Sequence, residues 1–250
     1  MTPEPLILAV ETASRAGSVA LSLGEKLLAE TTFSGPMRHS AELFPGILGL
    51  MEQFSLKPCQ IEQIHISIGP GSFTGLRIAT TLAKTMHLAN GARIVALDTL
   101  DVIVANVIYP APEKSHELQV TGYERIAAIL DAKRNQFFIA VYEYTSDATW
   151  KKVVPDSLMT ARQFVEEFAP SDKPIWLLGD GLLYYKDRFR GEGIRFLDTK
   201  YWSPRASNVH LLGWQKALDG QFADPLTLQP HYLRKPDVTI KKDWNSKYKM

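Results

Sequence analysis

Cysteine is almost missing from this chain. Cys59 is the single one in 250 residues, so no intrachain disulfide can form and a cysteine-rich zinc site is excluded. That usage fits a reducing compartment. A surplus of charge is missing too: 28 Lys and Arg stand against 27 Asp and Glu, a formal net charge of +1. A dedicated nucleic-acid binder carries a stronger basic bias or a basic face, so any RNA contact is expected to be local or supplied by a partner. Long apolar runs are absent. The first run, Leu6 to Val10, follows an N-terminus without basic residues. It is too short for a signal h-region or a membrane span, so a cytoplasmic protein is expected.

Several chemical signatures are lacking as well. The histidines are His39, His65, His87, His116, His210 and His231, and no two make a His-x-x-x-His or His-Glu-x-x-His motif. This argues against a metallopeptidase, although histidines distant in sequence can still meet in a fold. There is no Gly-x-Ser-x-Gly nucleophile elbow. Cys59 lies in a polar turn, Lys57-Pro58-Cys59-Gln60, with no sign of activation.

What is present is an alternation of strands and helices. Leu6 to Val10 reads as a buried strand ending at Glu11-Thr12-Ala13-Ser14. Gly17 to Leu23 and Leu27 to Phe33 read as strands joined by a tight turn, hence antiparallel. From Ser40 to Phe54 the period becomes 3.6: Leu43, Ile47, Leu50 and Phe54 form one stripe with Phe44, Leu48 and Met51 beside it, an amphipathic helix with a wide apolar face. A strand over Ile64 to Ile68, a helix over about Gly75 to Ala89, a strand over Ile94 to Leu97 and a helix over Asp98 to Val107 complete the first half. That order, β-β-β-α-β-α-β-α, is the order of a ribonuclease-H-like domain.

Residues 109–124 carry Pro110, Pro112 and Gly122 among polar residues and read as a linker or long loop. The opening theme then returns. Arg125 to Asp131 is an apolar strand ending at an acid, and Phe137 to Tyr144 is β-rich, which suggests an internal duplication. Thr160 caps a helix to Phe168. Ile175 to Leu178 is a strand ending at Gly179-Asp180-Gly181, and Ile194 to Leu197 is a short strand. Ala206 to Asp219 is a helix stopped by Gly220. Asp224 to Lys235 is expected to be extended. The expected division is a first lobe over 1–108, a second over 125–236 and a loose tail over 237–250. The architecture is α/β, two duplicated lobes of the actin-like ATPase (ASKHA) kind, with strand ends meeting at an interlobe cleft.

Two stretches stand out as candidate sites. The first is Gly69-Pro70-Gly71-Ser72-Phe73-Thr74-Gly75-Leu76-Arg77, between a strand and a helix. Free N–H groups at a helix N-terminus favour an anion, but this is not a Walker A loop, and its third glycine is one place late for a dinucleotide fingerprint. A tight turn that needs the glycines is the competing reading. The second is Glu11, Thr12 and Ser14 after the first strand, with Asp131 at the matching place in the second half. Paired across a cleft, the two acids could hold a hydrated Mg²⁺; as turn acids they would only be solvated. His39, just ahead of the first helix, reads as a cap or an interface residue. The tail interleaves Lys241, Lys242, Lys247 and Lys249 with Trp244 and Tyr248, a pattern that could touch phosphate and stack a base or remain a solvated tail.

The runs Leu6 to Leu21 and Ile68 to Thr81, with the ending Pro230-His231-Tyr232-Leu233-Arg234-Lys235, resemble the TsaB (YeaZ) family, bacterial accessory proteins of tRNA threonylcarbamoyladenosine (t6A) synthesis. The resemblance covers most of the chain and is firm to about Val107. It implies two ribonuclease-H-like lobes and a scaffold without catalytic residues. Its partners would be a related catalytic subunit of TsaD type, a TsaE-type P-loop ATPase and, when alone, a second copy of itself. It implies no intrinsic cofactor or metal, ATP and Mg being used by the assembled complex, and tRNA reached only through that complex, with no membrane. The catalytic relatives carry a metal-binding His-x-x-x-His pair where this chain has Thr99 and Ile103, neither of which replaces an imidazole. The shared interface would lie on the helices Ser40 to Phe54 and Gly75 to Ala89, with Leu43, Ile47, Leu82 and Met86 at its centre and His39 at its edge. Glu11 stands where the superfamily has an Asp. That departure counts against intrinsic nucleotide binding; the alternatives to the scaffold reading are a small-molecule kinase or ATPase of the same superfamily and, less favoured and on an older label, a metallopeptidase.

Overall fold

The computed structural model describes residues 4–35, 38–109, 124–147, 149–171 and 173–234. Strand β1 (Leu6–Glu11) is buried at every position, the expected state of a central strand flanked on both sides and covered on both faces. It pairs antiparallel with β2 (Ser18–Leu23) and parallel with β4 (Gln63–Gly69). With β3 (Lys26–Thr32) and β5 (Arg93–Asp98) at the edges, the order is β3-β2-β1-β4-β5.

A second sheet contains β6 (Arg125–Asp131), β7 (Gln136–Tyr144), β8 (Trp150–Thr160), β9 (Ile175–Leu178) and β10 (Ile194–Phe196) in the order β10-β9-β6-β7-β8. Read from its other edge this is the first order again, with β6 in the place of β1 and parallel to β9 as β1 is to β4. Two sheets of three antiparallel strands extended by parallel ones make two ribonuclease-H-like lobes of the actin-like architecture. The duplication suggested by the repeated strand–acid–strand theme is real.

Helices α1 (His39–Gln53) and α2 (Phe73–Asn90) cover one face of the first sheet. Leu8, Val10, Val19 and Leu21 from the sheet pack there with Leu43, Ile47 and Leu82. Ser72 caps α2 by accepting a hydrogen bond from the Gly75 N–H, and Gly91 ends it in the left-handed conformation, φ 75°, as a C-terminal glycine does. Helix α4 (Ala161–Phe168) starts with the expected cap, Thr160 and Gln163 each bonding the other's backbone N–H, and the one-turn helix α5 (Leu182–Tyr185) follows β9.

The lobes do not divide at one point along the chain. Helix α6 (Ala206–Leu218) lies on the other face of the first sheet, its Ala206 and Val209 packed with Ala9, Ala20 and Leu97. The Ala206 N–H bonds Ser18 Oγ at 2.8 Å and Lys216 Nζ bonds the Ala96 carbonyl at 3.0 Å. Helix α3 (Thr99–Ile108) is shared: Leu100, Ile103, Val104 and Val107 enter the core of the second lobe while Val102 faces α6. The expected boundaries of 1–108 and 125–236 therefore need correction. A helical stripe announces that a face is buried, not which sheet buries it.

Strand β8 gave no signal in the sequence. Its register breaks opposite Pro155 and Asp156, since Val141 pairs with Val154 and Ile139 with Ser157, and such a bulge scrambles the period-2 pattern. The stretch from Asp224 is not a strand; it touches the sheet through the Ala223 N–H to the Ile94 carbonyl and the His231 N–H to the Ile68 carbonyl. Most of the expected linker, and the lysine-rich tail with Lys241, Lys242, Trp244, Lys247, Tyr248 and Lys249, lie outside the described residues.

Candidate functional site: the interlobe cleft

The ends of β1 and β6 open on one cavity of about 590 Å³, the size of a small-ligand site. Ala13 to Arg15, Gly71, Ser72 and Phe73 line it from the first lobe. Leu130 to Lys133, Asp180, Tyr184 and Tyr185 line it from the second, and His231 to Arg234 cross its edge.

The glycine-rich turn supports this wall by close approach to protein backbone. A Cβ on Gly75 would collide with the Thr12 carbonyl, and one on Gly71 with the Ala13 carbonyl. The Ser72 N–H donates to the Ala13 carbonyl at 2.6 Å, and Thr12 Oγ1 donates to the Gly75 carbonyl at 2.8 Å. The glycines thus serve the packing of the turn against the loop after β1, which favours the structural reading of this motif. The second lobe repeats the device: Cβ atoms on Gly179 and Gly181 would meet the backbone of Ile129 and Leu130.

Glu11 does not face the cleft. Its side chain is fully buried; Oε1 accepts from the Ala13 N–H at 2.6 Å and Oε2 accepts from Ser67 Oγ. Burial, only partly offset by those bonds, pushes its carboxyl up to about 7. Asp131 does line the cleft, but its Oδ1 accepts from the Lys133 N–H at 2.7 Å and its Oδ2 pairs with Lys133 Nζ at 2.6 Å. The two acids therefore do not face each other across the cleft as a Mg²⁺ pair would, and Glu11 is sealed instead of being the solvated turn acid of the competing reading. Thr12 is buried, and Ser14 Oγ donates to the Ala16 carbonyl at 3.0 Å. Of the four residues expected at a nucleotide cleft, only Ser14 and Asp131 reach it.

The acid that does stand in the cleft beside Asp131 is Asp180, which was not among the expected site residues. It is 6% exposed, and burial raises its carboxyl above the usual range. Its Oδ2 accepts from the Arg15 N–H at 3.1 Å, a bond from lobe to lobe, while the Arg15 guanidinium sits 5.1 Å from the centre of the Tyr184 ring. The available signal was the position of Gly179-Asp180-Gly181 after its strand, matching Gly69-Pro70-Gly71 in the first half.

Motifs far apart in the chain meet at the cleft's edge. The Phe73 and Tyr232 rings lie 4.9 Å apart, Arg77 covers Phe73 at 3.8 Å, and its Nε donates to Tyr232 Oη at 3.2 Å. Arg234 reaches the other lobe, bonding the Ala132 carbonyl at 2.7 Å. A Cβ on Gly69, whose φ is +126°, would press on the His231 carbonyl at 2.5 Å.

The residues expected at a partner interface are placed differently. Leu43, Ile47 and Leu82 are 1%, 6% and 8% exposed, and Met86 packs against the same core. Helical phase found the stripe correctly, but that stripe faces this chain's own sheet. The apolar residues turned outward are Phe44 and Leu48 on α1, 59% and 50% exposed, and Leu88 near the end of α2. His39 is neither the cap nor exposed: Arg38 is the N-cap, and His39 is buried with Nε2 2.9 Å from the Ser14 carbonyl. Thr99 and Ile103 are fully buried.

Comparison with known proteins agrees with this architecture. The model of the family described as "TsaD: tRNA N6-adenosine threonylcarbamoyltransferase" matches residues 27–174. The tRNA threonylcarbamoyladenosine biosynthesis protein TsaB of Bacillus subtilis is 28% identical over 242 residues, covering 94% of this chain and 96% of the relative. The protein of the same name from Escherichia coli is 23% identical over 229 residues, covering 91% and 94%. Two solved structures from Pseudomonas aeruginosa share the fold. One, of a protein with similarity to the peptidase YeaZ, has a TM-score of 0.74 at 20% identity and covers 92% of this chain and 100% of that one. The other, YeaZ, has a TM-score of 0.72 at 22% identity with the same coverage. The chain belongs to the TsaD family, and within it to the TsaB (YeaZ) proteins.

Proposed function

We propose that this chain acts in tRNA threonylcarbamoyladenosine synthesis as a non-catalytic subunit that binds and supports a TsaD-type catalytic homologue. The observation that carries the reading is the outward face of α1. Phe44 and Leu48, one helical turn apart, are 59% and 50% exposed on a helix whose other stripe is core. Large apolar side chains grouped on one exposed face favour burial against another protein. The relatives' names supply the pathway. The residues aligned with the catalytic relatives' imidazole pair, Thr99 and Ile103, have no metal-ligating nitrogen. In this reading a TsaE-type ATPase joins the pair, ATP and Mg are used by the assembled complex, and tRNA is reached through it. The same α1 face serves a homodimer when the catalytic subunit is absent, and the setting is the cytoplasm. The kinase alternative is weakened by Glu11, whose two oxygens are both occupied behind the cleft wall.

The test is co-purification from the chain's own host. Stoichiometric recovery of a TsaD-type subunit is expected, and Phe44→Glu or Leu48→Glu should abolish it while leaving the circular dichroism spectrum unchanged. Recovery of the chain alone, with tight MgATP binding and turnover of a small substrate, would replace this reading with the kinase one. Charges at Leu43 or Leu82 would be poor probes, because they would unfold the first lobe.

A further inference from the structure

At one end of the interlobe edge, three chain segments bring metal-ligating side chains together. Asp98 ends β5 in the first lobe, Asp156 lies at the bulge of β8 in the second, and His231 belongs to the segment that crosses the cleft. One ligand atom from each lies within 4.8 Å of the others. Asp98 Oδ1 and His231 Nδ1 are 3.8 Å apart.

Lys152 sits beside them. It bonds Asp101 Oδ1 and Asp156 Oδ1, each at 2.7 Å, and stands 3.7 Å from Asp98 Oδ2. Tyr142 donates to the same Asp101 oxygen. One ammonium thus faces three carboxylates. It leaves Asp98 Oδ1 toward His231 and leaves Asp156 Oδ2 with no hydrogen-bond partner among the described residues. The Asp156 side chain is only 5% exposed. A buried carboxylate oxygen without a donor is costly, and this one stands in a cluster that also offers a second carboxylate and an imidazole.

We propose that Asp98, Asp156 and His231 form a binding site for a divalent transition-metal ion of the zinc or manganese class. The donor set of two carboxylate oxygens and one imidazole nitrogen suits borderline ions better than Mg²⁺ or Ca²⁺. Asp98 and His231 are 40% and 42% exposed at their side chains, so an ion can enter from solvent and keep water in its remaining positions. Lys152 need not leave, because it holds the other oxygen of each carboxylate. The ion ties the first lobe, the second lobe and the cleft-crossing segment at one point, a structural role that holds the lobes at a set angle. The ligands are 98, 156 and 231 in the chain, a spacing no sequence motif announces. They are distinct from the buried Thr99 and Ile103, and the inference is independent of the scaffold reading.

The test uses the full chain, stripped with chelator and dialysed, then titrated with Zn²⁺ by calorimetry and with Mn²⁺ by electron paramagnetic resonance. Saturable binding of one ion per chain is expected, with a rise in melting temperature. His231→Ala and Asp156→Asn should each weaken binding by roughly tenfold or more, whereas Lys152→Met, which removes the competing charge, should strengthen it. Should Asp156→Asn fail to fold, the exposed His231 decides the matter. Absence of saturable binding of either ion, or binding that His231→Ala leaves unchanged, would overturn the proposal and leave an ion-pair network in its place.

Discussion

Replacing Glu11 with Gln isolates the most perturbed acid of the first lobe. The Glu11 carboxyl is fully buried and titrates at about 7 rather than near its ordinary 4.5, chiefly because burial disfavours its charge. A raised folded-state value means that the native protein holds this proton more tightly than the unfolded chain. The resulting stabilisation is complete below pH 4.5 and is lost as pH rises through about 7. At about 1.4 kcal/mol per pKa unit, the whole effect is roughly 3 kcal/mol, most of it lost between about pH 5 and about pH 8. Gln is an uncharged isostere that can accept from the Ala13 N–H and donate to Ser67, as the protonated acid would. Stability should therefore be compared by urea unfolding of wild type and Glu11→Gln at several pH values. The variant should gain about 2 to 3 kcal/mol on the wild type between those limits. The comparison must be a difference between the two proteins. His65, depressed to about 3 by burial and by the neighbouring His210, acts in the opposite direction: its neutral form costs stability as pH falls below the ordinary histidine range. That contribution cancels in the difference. A variant whose stability relative to wild type does not change with pH would refute the argument.

Leu43→Ala should cost about 2 to 5 kcal/mol in chemical unfolding, since Leu43 is 1% exposed in the core. Phe44→Ala, at 59% exposure, should cost far less while still weakening partner recovery, so the two adjacent positions separate folding from binding. Gly75→Ala should abolish soluble expression or lower the melting temperature steeply, because its Cβ would collide with the Thr12 carbonyl; a wild-type melting curve would show that the loop after β1 can yield. Ser55, exposed just past the end of α1, has φ 55°, so Ser55→Gly should raise stability by about 1 kcal/mol, seen as a higher urea midpoint at unchanged slope.

The α1 face and the cleft belong to different surfaces of the chain. Neither Phe44 nor Leu48 lines the cavity walled by Ser14, Gly71 and Asp180.

Much of the architecture was legible in the residues themselves. The unbroken apolar run into Glu11, the same theme ending at Asp131, and the order of strands and helices follow from hydrophobic period and turn chemistry, which are local properties. The cap at Thr160 and the stop at Gly220 are local in the same sense. Other matters depended on packing between segments far apart in sequence. Helical phase marked Leu43, Ile47 and Leu82 as one stripe, but a period cannot say whether a stripe meets its own sheet or a partner, and here its own sheet takes it. A turn acid reads alike whether it is solvated or sealed: Glu11 is sealed because the glycine turn, 60 residues later, closes over the loop that follows it. Asp180 became a cleft residue, and Asp98, Asp156 and His231 neighbours, only when the two lobes and the crossing segment came together, because their proximity is set by the meeting of two sheets and by no spacing along the chain.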